Sequence, residues 1–487
     1  MASRDPLTLK PATTQPATDS SHLQRINRDP DRRILLTNGC VISMDPSVGD
    51  HEKGDVLIEG DTISRVGPNL QAESDNEVTT IVDAGGCIVM PGFVDTHRHM
   101  WQGQLRRMIP NVDISMYLGL RNAFAVQYEP RDNYAGTLAI ALGALYSGIT
   151  SIQDYAHNTR SSSHADAEVE ALTTAGIRAV YACAPPEAGE WERQWPEDLS
   201  RLNDELAGHP LMTLRMGQRC FSDEDNLTPE RIRIARDLGI GMTLDPVAWE
   251  EGTNAILDVA SDGLLGPDLT FVHCFDLSAE AWKSMGDADV RVSLSPFVDE
   301  LLGWGREGLP TVQRALDVGI SPGLSVDIET TVPSDVFTQM RALLAVQRMR
   351  GSLGTTEVER PQMTAKEVLA VATTHGARTI GLEDVCGTLT PGKKADVVLI
   401  DCSTPNIFPL SNAYGSVALG ADVNAVRAVL VAGEFRKWGD HLVGVDLAEI
   451  QEMIETSRDG LAAKVGFEID LFADYPSIDL GTHTLRM

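Results

Sequence analysis

Two histidines, His97 and His99, stand one residue apart in the segment PGFVDTHRH at residues 91–99. An apolar run precedes the segment and predicts a short strand, in which residues i and i+2 point to the same face. Both imidazoles would then face one side, and Arg98 would face the other. Two imidazoles that converge at a strand end are typical metal ligands. A chance pair is the alternative, and we favour a metal site because possible partners recur at later strand ends.

The partners are polar residues at or just past the other predicted strand ends. They suit a single zinc, iron or manganese ion with one coordination position open. Such an ion lowers the pKa of its bound water and polarises a carbonyl or a ring C=N bond. Asp327 is the natural base, and His273 can hydrogen-bond the attacking water or the oxyanion and could also approach the metal. The full set of partners is Asp154, His157, Arg219, Asp245, His273 and Asp327.

Several of these residues also have an ordinary structural explanation. His273 could be a core histidine, although its place at a strand end favours a site. Asp154 and His157 could cap the helix that follows them. Arg219 could grip a substrate carboxylate through two hydrogen bonds, whereas an exposed arginine is the commoner case.

The elements that must position these residues are alternating strands and helices between residues 91 and 385. Amphipathic helices are predicted between most of the strands, for example at residues 165–175 and 229–238. Eight β/α repeats predict a closed (β/α)8 TIM barrel, whose active site lies at the carboxyl ends of its strands. The eight predicted strands are residues 92–97, 149–154, 177–183, 211–216, 240–245, 270–274, 290–295 and 322–327.

A second domain is predicted from both ends of the chain. Short β-runs punctuated by glycine fill residues 32–90, and similar runs return within residues 386–445. We therefore expect a composite β-sandwich with the barrel, residues 91–385, inserted between its halves. Residues 1–31 are rich in Ser, Thr, Pro and Asp and are predicted to be disordered. Residues 446–487 are predicted to form a helical tail.

Composition excludes several classes of function. The chain has 487 residues, of which 43% are hydrophobic, and this suffices for a large core. Its formal net charge of −30 argues against binding to nucleic acid or to an anionic membrane. No apolar run reaches the roughly 20 residues that span a bilayer, and no secretory signal is recognisable, so we expect a cytoplasmic protein. Seven cysteines without a C-x-x-C spacing predict free thiols.

The segment PGFVDTHRH and the segment GTLTPGKKADVV at residues 387–398 resemble motifs of the amidohydrolase superfamily, in its cytosine deaminase/chlorohydrolase-like branch. The segments around His273 and Asp327 extend the resemblance to roughly residues 33–445. It implies a distorted barrel with a composite β-sandwich, a homo-oligomer such as a dimer or tetramer, and hydrolytic attack on an amidine, an amide or a halogenated ring carbon. The fourth strand lacks the lysine that would bridge two metals, so the resemblance favours one metal ion.

The fifth strand departs from that family pattern. The branch supplies a histidine ligand there, often followed three residues later by an acidic proton carrier. Residues 240–248 contain no histidine, Asp245 is the one candidate ligand, and position 248 is alanine. An aspartate adds negative charge, which weakens the metal as a Lewis acid and shifts preference toward harder ions. The predicted ligands are His97, His99, Asp245 and Asp327, with zinc as the expected ion and iron or manganese as alternatives.

These observations predict a mononuclear metal-dependent hydrolase that cleaves a C–N bond of a cyclic or aromatic small molecule, with water activated by Asp327 and His273. The altered fifth strand leaves open a lyase, dehydratase, decarboxylase or cyclase, which could act without metal. A catalytically inactive barrel that serves as a binding partner is a third hypothesis, which the retained histidines and Asp327 disfavour. The residues predicted to bind substrate are Gln102, His157, Arg219, Phe297 and Trp304.

Overall fold

Two β-sheets organise the chain, and the computed structural model describes them over residues 7–9, 20–70, 80–111, 113–219, 228–301, 311–352 and 362–474. The strands in chain order are β1 (Leu7–Leu9), β2 (Arg33–Val41), β3 (His51–Glu59), β4 (Thr62–Gly67), β5 (Thr80–Asp83), β6 (Cys87–Pro91), β7 (Phe93–Arg98), β8 (Ile149–Ala156), β9 (Arg178–Cys183), β10 (Met212–Gln218), β11 (Gly241–Ala248), β12 (Leu269–Phe275), β13 (Arg291–Leu294), β14 (Gly323–Leu324), β15 (Val397–Asp401), β16 (Val426–Val431), β17 (Glu434–Trp438) and β18 (His441–Leu442).

The helices lie mostly between the strands of the second sheet. In chain order they are α1 (Ser20–Asn27), α2 (Ile114–Ala125), α3 (Pro130–Tyr146), α4 (Ser162–Ala175), α5 (Asp198–Leu206), α6 (Thr228–Asp237), α7 (Trp249–Ser261), α8 (Ala279–Asp287), α9 (Pro296–Leu301), α10 (Thr311–Asp317), α11 (Val336–Ser352), α12 (Ala365–Val371), α13 (Thr374–Thr379), α14 (Ala413–Gly415) and α15 (Leu447–Val465). Short 3₁₀ helices cover Met100–Leu105 and Val423–Ala425, and a π-helical turn covers Ser416–Gly420.

Strands β7 to β14 form the barrel, and they lie side by side in chain order with parallel pairing. The barrel closes just past β14, where the Asp327 amide donates to the His97 carbonyl and the His99 amide donates to the Asp327 carbonyl, both at 3.0 Å. The predicted (β/α)8 architecture is therefore confirmed. The eighth strand is shorter than predicted, because ladder pairing covers only two residues before the chain turns toward the first strand.

The barrel strands are buried on both faces, as expected of a parallel sheet covered by helices. All eight residues of β8 are buried, and so are all six of β9. Their outward apolar side chains pack against the surrounding helices in one large hydrophobic cluster. Polar side chains inside the barrel pair with one another, as where the Thr243 hydroxyl donates to Gln153. This packing gives the strand ends a fixed frame.

The other sheet combines both ends of the chain, as predicted. Strand β6 pairs antiparallel with β15, so that Val89 lies opposite Leu399, and on its other edge β6 pairs with β2. Ten strands belong to this sheet, which mixes parallel and antiparallel pairs. Strand β6 leads through the turn at Gly92 directly into β7. The composite sheet therefore anchors the strand that carries His97 and His99.

The expected disorder of residues 1–31 is wrong for part of that segment. Residues Leu7–Leu9 form strand β1 beside β5, and α1 packs on the composite sheet. Leu23 is buried in the core of that sheet, and Asn27 exchanges two hydrogen bonds with the backbone of Phe435. Leu23 and Ile26 give α1 an apolar stripe, and its burial outweighs the polar composition of the segment.

After residue 446 the chain forms helix α15, and residues 475–487 lie outside the described residues. Its Ser457 hydroxyl donates to Asp132 of α3 at 2.6 Å. Among the described helices none is both long and apolar enough to cross a membrane.

Candidate metal centre

Three predicted ligands converge where the barrel closes. His97 lies at the end of strand β7 and His99 just past it, and Asp327 lies just past β14, next to β7. Oδ1 of Asp327 is 3.5 Å from Nε2 of His97 and 3.2 Å from Nε2 of His99. All three side chains are buried. The i, i+2 spacing therefore aims both imidazoles at one carboxylate.

Two further side chains approach from the fifth and sixth strands. Asp245 lies on β11, and its Oδ2 is 3.5 Å from Nε2 of His97 and 3.6 Å from Nε2 of His99. His273 lies on β12, and its Nε2 is 3.3 Å from Oδ1 of Asp245 and 3.8 Å from Oδ2 of Asp327. His97, His99, Asp245, His273 and Asp327 are called the metal cluster below.

The donor atoms of the cluster have the spacing that a metal ion needs. The ligand atoms of His97, Asp245 and His273 lie within 4.8 Å of one another, as do those of His97, His99 and Asp327. Ligand atoms on tetrahedral zinc, with bonds of about 2.0–2.1 Å, are about 3.3–3.5 Å apart. Among the described residues, both ring nitrogens of His97, Oδ1 of Asp245 and Oδ1 of Asp327 are buried without a hydrogen-bond partner. The cluster therefore fits a divalent cation.

The electrostatics of the cluster favour ionised carboxylates. Burial would raise the pKa of Asp327, but the contacts with His97 and His99 lower it far below its usual value. Burial would also raise the pKa of Asp245, and there the neighbouring His97 and His273 lower it. A carboxylate side chain binds a metal in its ionised form, and a histidine side chain binds it as the neutral imidazole.

Two members of the cluster have left-handed backbone conformations. The φ angles of His273 and Asp327 are both +70°, which is rare for residues other than glycine. Such a conformation costs on the order of 1–3 kcal/mol and persists where the surrounding structure imposes it. His273 lies near the end of β12 and Asp327 lies just past β14, and in both cases the side chain reaches the cluster. The strain therefore coincides with the residues that the site needs.

A buried carboxylate, Asp299 at the start of α9, lies behind His273. Its Oδ1 is 3.0 Å from Nδ1 of His273. Burial raises the pKa of Asp299 to about 6, and the contact with His273 limits the rise. Burial would lower the pKa of His273, but the contacts with Asp245 and Asp299 raise it well above its usual value. Sequence reasoning missed Asp299.

A buried group of ion pairs positions the β7 histidines from the opposite side. Arg98 points away from the cluster, as the strand spacing predicts, and is fully buried. It contacts Asp95, donates to Glu329 at 2.6 Å, and lies behind both His97 and His99. Oδ1 of Asp95 also accepts from the amide of Val326 at 3.1 Å, next to Asp327. These contacts tie the first strand to the segment that follows the eighth.

Two predicted substrate residues, Gln102 and His157, lie beside the cluster. The Gln102 side chain exchanges hydrogen bonds with the Tyr117 hydroxyl of α2. The His157 ring packs edge-on against the His99 ring at a centroid distance of 4.3 Å. Burial lowers the pKa of His157, so the ring is neutral near pH 7. Asp154, buried beneath them, accepts a hydrogen bond from the Met100 amide and thereby fixes the chain just after His99.

A pair of arginines shares one carboxylate near the barrel mouth. Arg121 of α2 and the predicted substrate residue Arg219 both donate to Oε2 of Glu187, at 2.7 and 2.8 Å. Burial would raise the pKa of Glu187, but the two arginines and His157 lower it to about 2. Arg219 is therefore engaged with Glu187, and a substrate carboxylate would have to compete for it. The sequence pattern did not identify Arg121, Glu187 or Tyr117.

The predicted aromatic wall is only partly described. Phe297 of α9 is half-buried against the hydrophobic cluster that contains Val298 and Val326, and its amide donates to Gln339. It therefore contributes to packing at the barrel mouth. Trp304 lies outside the described residues.

Comparisons with known proteins agree with this fold and site. The sequence model of the amidohydrolase family matches residues 237–436. A 5'-deoxyadenosine deaminase of Methanosarcina acetivorans is 25% identical over 88% of this chain and 99% of its own. A 5-methylthioadenosine/S-adenosylhomocysteine deaminase of Desulfitobacterium hafniense is 27% identical over 88% of this chain and 99% of its own.

Solved structures show the same architecture. A zinc-bound adenosine deaminase from Xanthomonas campestris superposes with a TM-score of 0.80 at 20% identity, covering 89% of this chain and 100% of its own. An atrazine chlorohydrolase from Arthrobacter aurescens, complexed with zinc, superposes with a TM-score of 0.74 at 21% identity. The match covers 87% of this chain and 100% of the chlorohydrolase chain. Fold and site together define a barrel enzyme with a His/Asp cluster able to hold a metal. Residues 237–436 thus resemble the amidohydrolase family in sequence, and the whole barrel shares the fold of these solved structures.

Proposed function

We propose that the protein is a mononuclear metal-dependent hydrolase that cleaves a C–N bond of a cyclic or aromatic small molecule. The observation that carries the proposal is the convergence of buried imidazole and carboxylate atoms, several of them without partners, at the carboxyl end of a closed barrel. Active sites of such barrels lie at this end. The deaminase activities named for relatives that align over nearly their whole length support hydrolysis over the lyase or cyclase alternative.

His97, His99, Asp245 and Asp327 would hold the ion, with zinc expected and iron or manganese as alternatives. When bound, the ion lowers the pKa of water and polarises a ring C=N bond. Asp327 is buried and ionised, and one of its oxygens lacks a hydrogen-bond partner among the described residues, so it can accept the proton of the attacking water. His273 faces Asp327 across the cluster and can hydrogen-bond the same water.

An aminopurine nucleoside is the substrate class that the relatives favour. Gln102 and Tyr117 offer a donor and acceptor pair beside the cluster, which suits a heterocycle that carries both kinds of group. Position 248 is a buried alanine, so the proton cannot travel to the ring through a side chain there. A carboxylate of the metal cluster would have to carry the proton instead. Asp245 is one candidate, because it lies on the same strand as position 248 and its side chain reaches the cluster.

The proposal is tested by metal analysis followed by a substrate panel. Protein purified without added metal or chelator is expected to contain about one divalent ion per chain. It is then incubated with 5'-deoxyadenosine, 5-methylthioadenosine, adenosine and a chlorinated triazine, and released ammonia or chloride is measured. Ammonia release from an aminopurine that Asp327→Asn abolishes is the expected result. Substrate loss without ammonia or chloride would contradict hydrolysis, and protein that takes up no metal would contradict the metal centre.

We also propose that the enzyme is a cytoplasmic homo-oligomer, a dimer or tetramer. The six cysteines that the structure describes are free, which is compatible with a reducing compartment. Light scattering and cell fractionation test the two statements separately. A monomeric mass would contradict the first, and recovery outside the cytoplasm would contradict the second.

A further inference from the structure

The fifth strand carries no histidine, yet a third imidazole already lies at the metal cluster. Nε2 of His273, on the neighbouring strand β12, is 3.3 Å from Asp245 and 3.8 Å from Asp327. Its ring centroid lies 6.0 Å from that of His97. These separations are close to those between the other cluster atoms, which range from 3.2 to 3.6 Å. His273 thus occupies a ligand's position.

The tautomer of His273 follows from its second ring nitrogen. Nδ1 lies 3.0 Å from Oδ1 of the buried Asp299, and an ionised carboxylate can only accept a hydrogen bond. Nδ1 therefore carries a proton, and in the neutral ring Nε2 carries the lone pair. That lone pair faces oxygens of Asp245 and Asp327. A metal ion placed between Nε2 and these oxygens would take the position that a second proton on the ring otherwise fills.

The ring is also held in place by the backbone and by a neighbouring aromatic side chain. The left-handed turn at His273 directs its side chain to the cluster instead of along the strand. Phe275 stacks on the ring with an interplanar angle of 17° and a centroid distance of 5.3 Å. Asp299 itself lies at the start of α9, where its amide donates to Ser295. A strained, stacked and hydrogen-bonded histidine is preorganised for a fixed partner.

We propose that His273 is a ligand of the metal and supplies the imidazole that strand β11 lacks, with Asp299 as the residue that positions it. This inference rests on the metal centre proposed above and changes the role of His273 from hydrogen-bond partner to ligand. The arrangement of carboxylate, imidazole and metal is the one that fixes histidine ligands generally. A third imidazole also favours zinc over manganese, because imidazole nitrogen suits zinc whereas manganese prefers oxygen ligands.

X-ray absorption at the zinc edge tests the ligand directly, because multiple scattering counts the imidazoles bound to the ion. The zinc-loaded wild-type protein is expected to show three imidazoles, and His273→Asn is expected to show two. His164→Asn is the matched control, since His164 is a buried histidine of α4 that hydrogen-bonds Ser161 away from the cluster. Two imidazoles in the wild-type protein would overturn the inference.

Two variants at position 299 test the positioning role. Asp299→Asn keeps a carbonyl oxygen that can accept from Nδ1, whereas Asp299→Ala removes the acceptor. Competition with a chelator should show zinc binding about 10–100-fold weaker in Asp299→Ala, as for other lost partners of ligating histidines, and within a few-fold of wild type in Asp299→Asn. Equal zinc affinity in Asp299→Ala and the wild type would overturn the role of Asp299.

These outcomes are separable from the proposed function. A wild-type protein that releases ammonia from an aminopurine and binds zinc through only two imidazoles would retain the proposed activity and lose this inference. A protein that binds zinc through three imidazoles and hydrolyses none of the panel would support this inference and contradict the proposed activity. Circular dichroism on each variant shows whether a loss of zinc follows from a loss of fold.

Discussion

The two sides of the metal cluster are built in different ways. On one side His97, His99 and Asp327 match the motifs that the sequence resembles and are joined by the backbone hydrogen bonds that close the barrel. On the other side Asp245 stands where a histidine is expected, and His273 reaches the cluster from a left-handed turn backed by Asp299. The first side is part of the frame of the barrel. The second depends on a few side-chain contacts.

The difference indicates which side should tolerate substitution. Arg98 and its two carboxylate partners are fully buried behind the first side, so a substitution there costs stability as well as chemistry. On the second side a ligand can be exchanged between neighbouring strands, because β11 and β12 end next to each other at the cluster. If His273 is a ligand as proposed, a histidine on β12 serves in place of one on β11 without moving the first side.

The largest expected effect is that of Asp327→Asn, which keeps the backbone bonds and removes the base. Turnover should fall by about 10²–10⁴-fold, the usual contribution of general acid–base catalysis, and further if metal is lost. Steady-state kinetics on the substrate identified by the panel measures it. Asp335→Asn, at the half-buried start of α11, is the control and should retain full turnover. Wild-type turnover in Asp327→Asn would remove Asp327 from the reaction.

The next effect is on stability. Arg98→Met would leave Asp95 and Glu329 as buried carboxylates without their central partner, and removing one partner of a buried pair costs about 3–5 kcal/mol. Urea denaturation should show that loss in the free energy of unfolding. The control is Arg33→Met, which breaks the more exposed pair with Glu59 and should cost about 0–1 kcal/mol. Equal losses in the two variants would show that the buried pairs do not hold the first side together.

The sequence predicts the first side of the cluster because its information is local. The i, i+2 spacing sets the direction of His97 and His99, and apolar runs locate the eight strands whose ends must meet. The same runs show that both chain ends share a sheet. Helix α1 was missed because its few apolar residues are buried by contact with β17, and no local pattern reports that contact.

The second side was harder to predict for a physical reason. Asp299 lies in the first turn of a short helix that begins at Pro296, where an acidic residue is ordinarily explained by the helix dipole. Its partner His273 is 26 residues away in the sequence, and only the tertiary fold brings the two side chains into contact. Glu187 and Arg121 likewise lie in a loop and a helix whose approach to the barrel mouth depends on tertiary packing.

A smaller effect is expected from Asp245→His, which restores the histidine that strand β11 lacks. Metal affinity should rise about tenfold, because imidazole is a stronger zinc ligand than a lone carboxylate oxygen and the change removes one negative charge from a buried site. Turnover should fall if Asp245 carries the proton to the ring. Competition with a chelator measures the first quantity and ammonia release the second. Unchanged metal affinity would place Asp245 outside the ligand set.

The smallest expected effect is on the stability of a variant at the exposed edge of the first side, and it is compared with the effect of Arg98→Met in the buried part. Arg107 also contacts Glu329, at 3.4 Å, but its side chain is 48% exposed. Arg107→Met should therefore lower the free energy of unfolding by about 0–1 kcal/mol and leave metal content unchanged, since Arg98 still pairs with Glu329. Urea denaturation measures the change alongside Arg98→Met. A loss as large as that of Arg98→Met would mean that Glu329 needs all of its arginines, and that the frame of the first side extends to the surface of the barrel mouth.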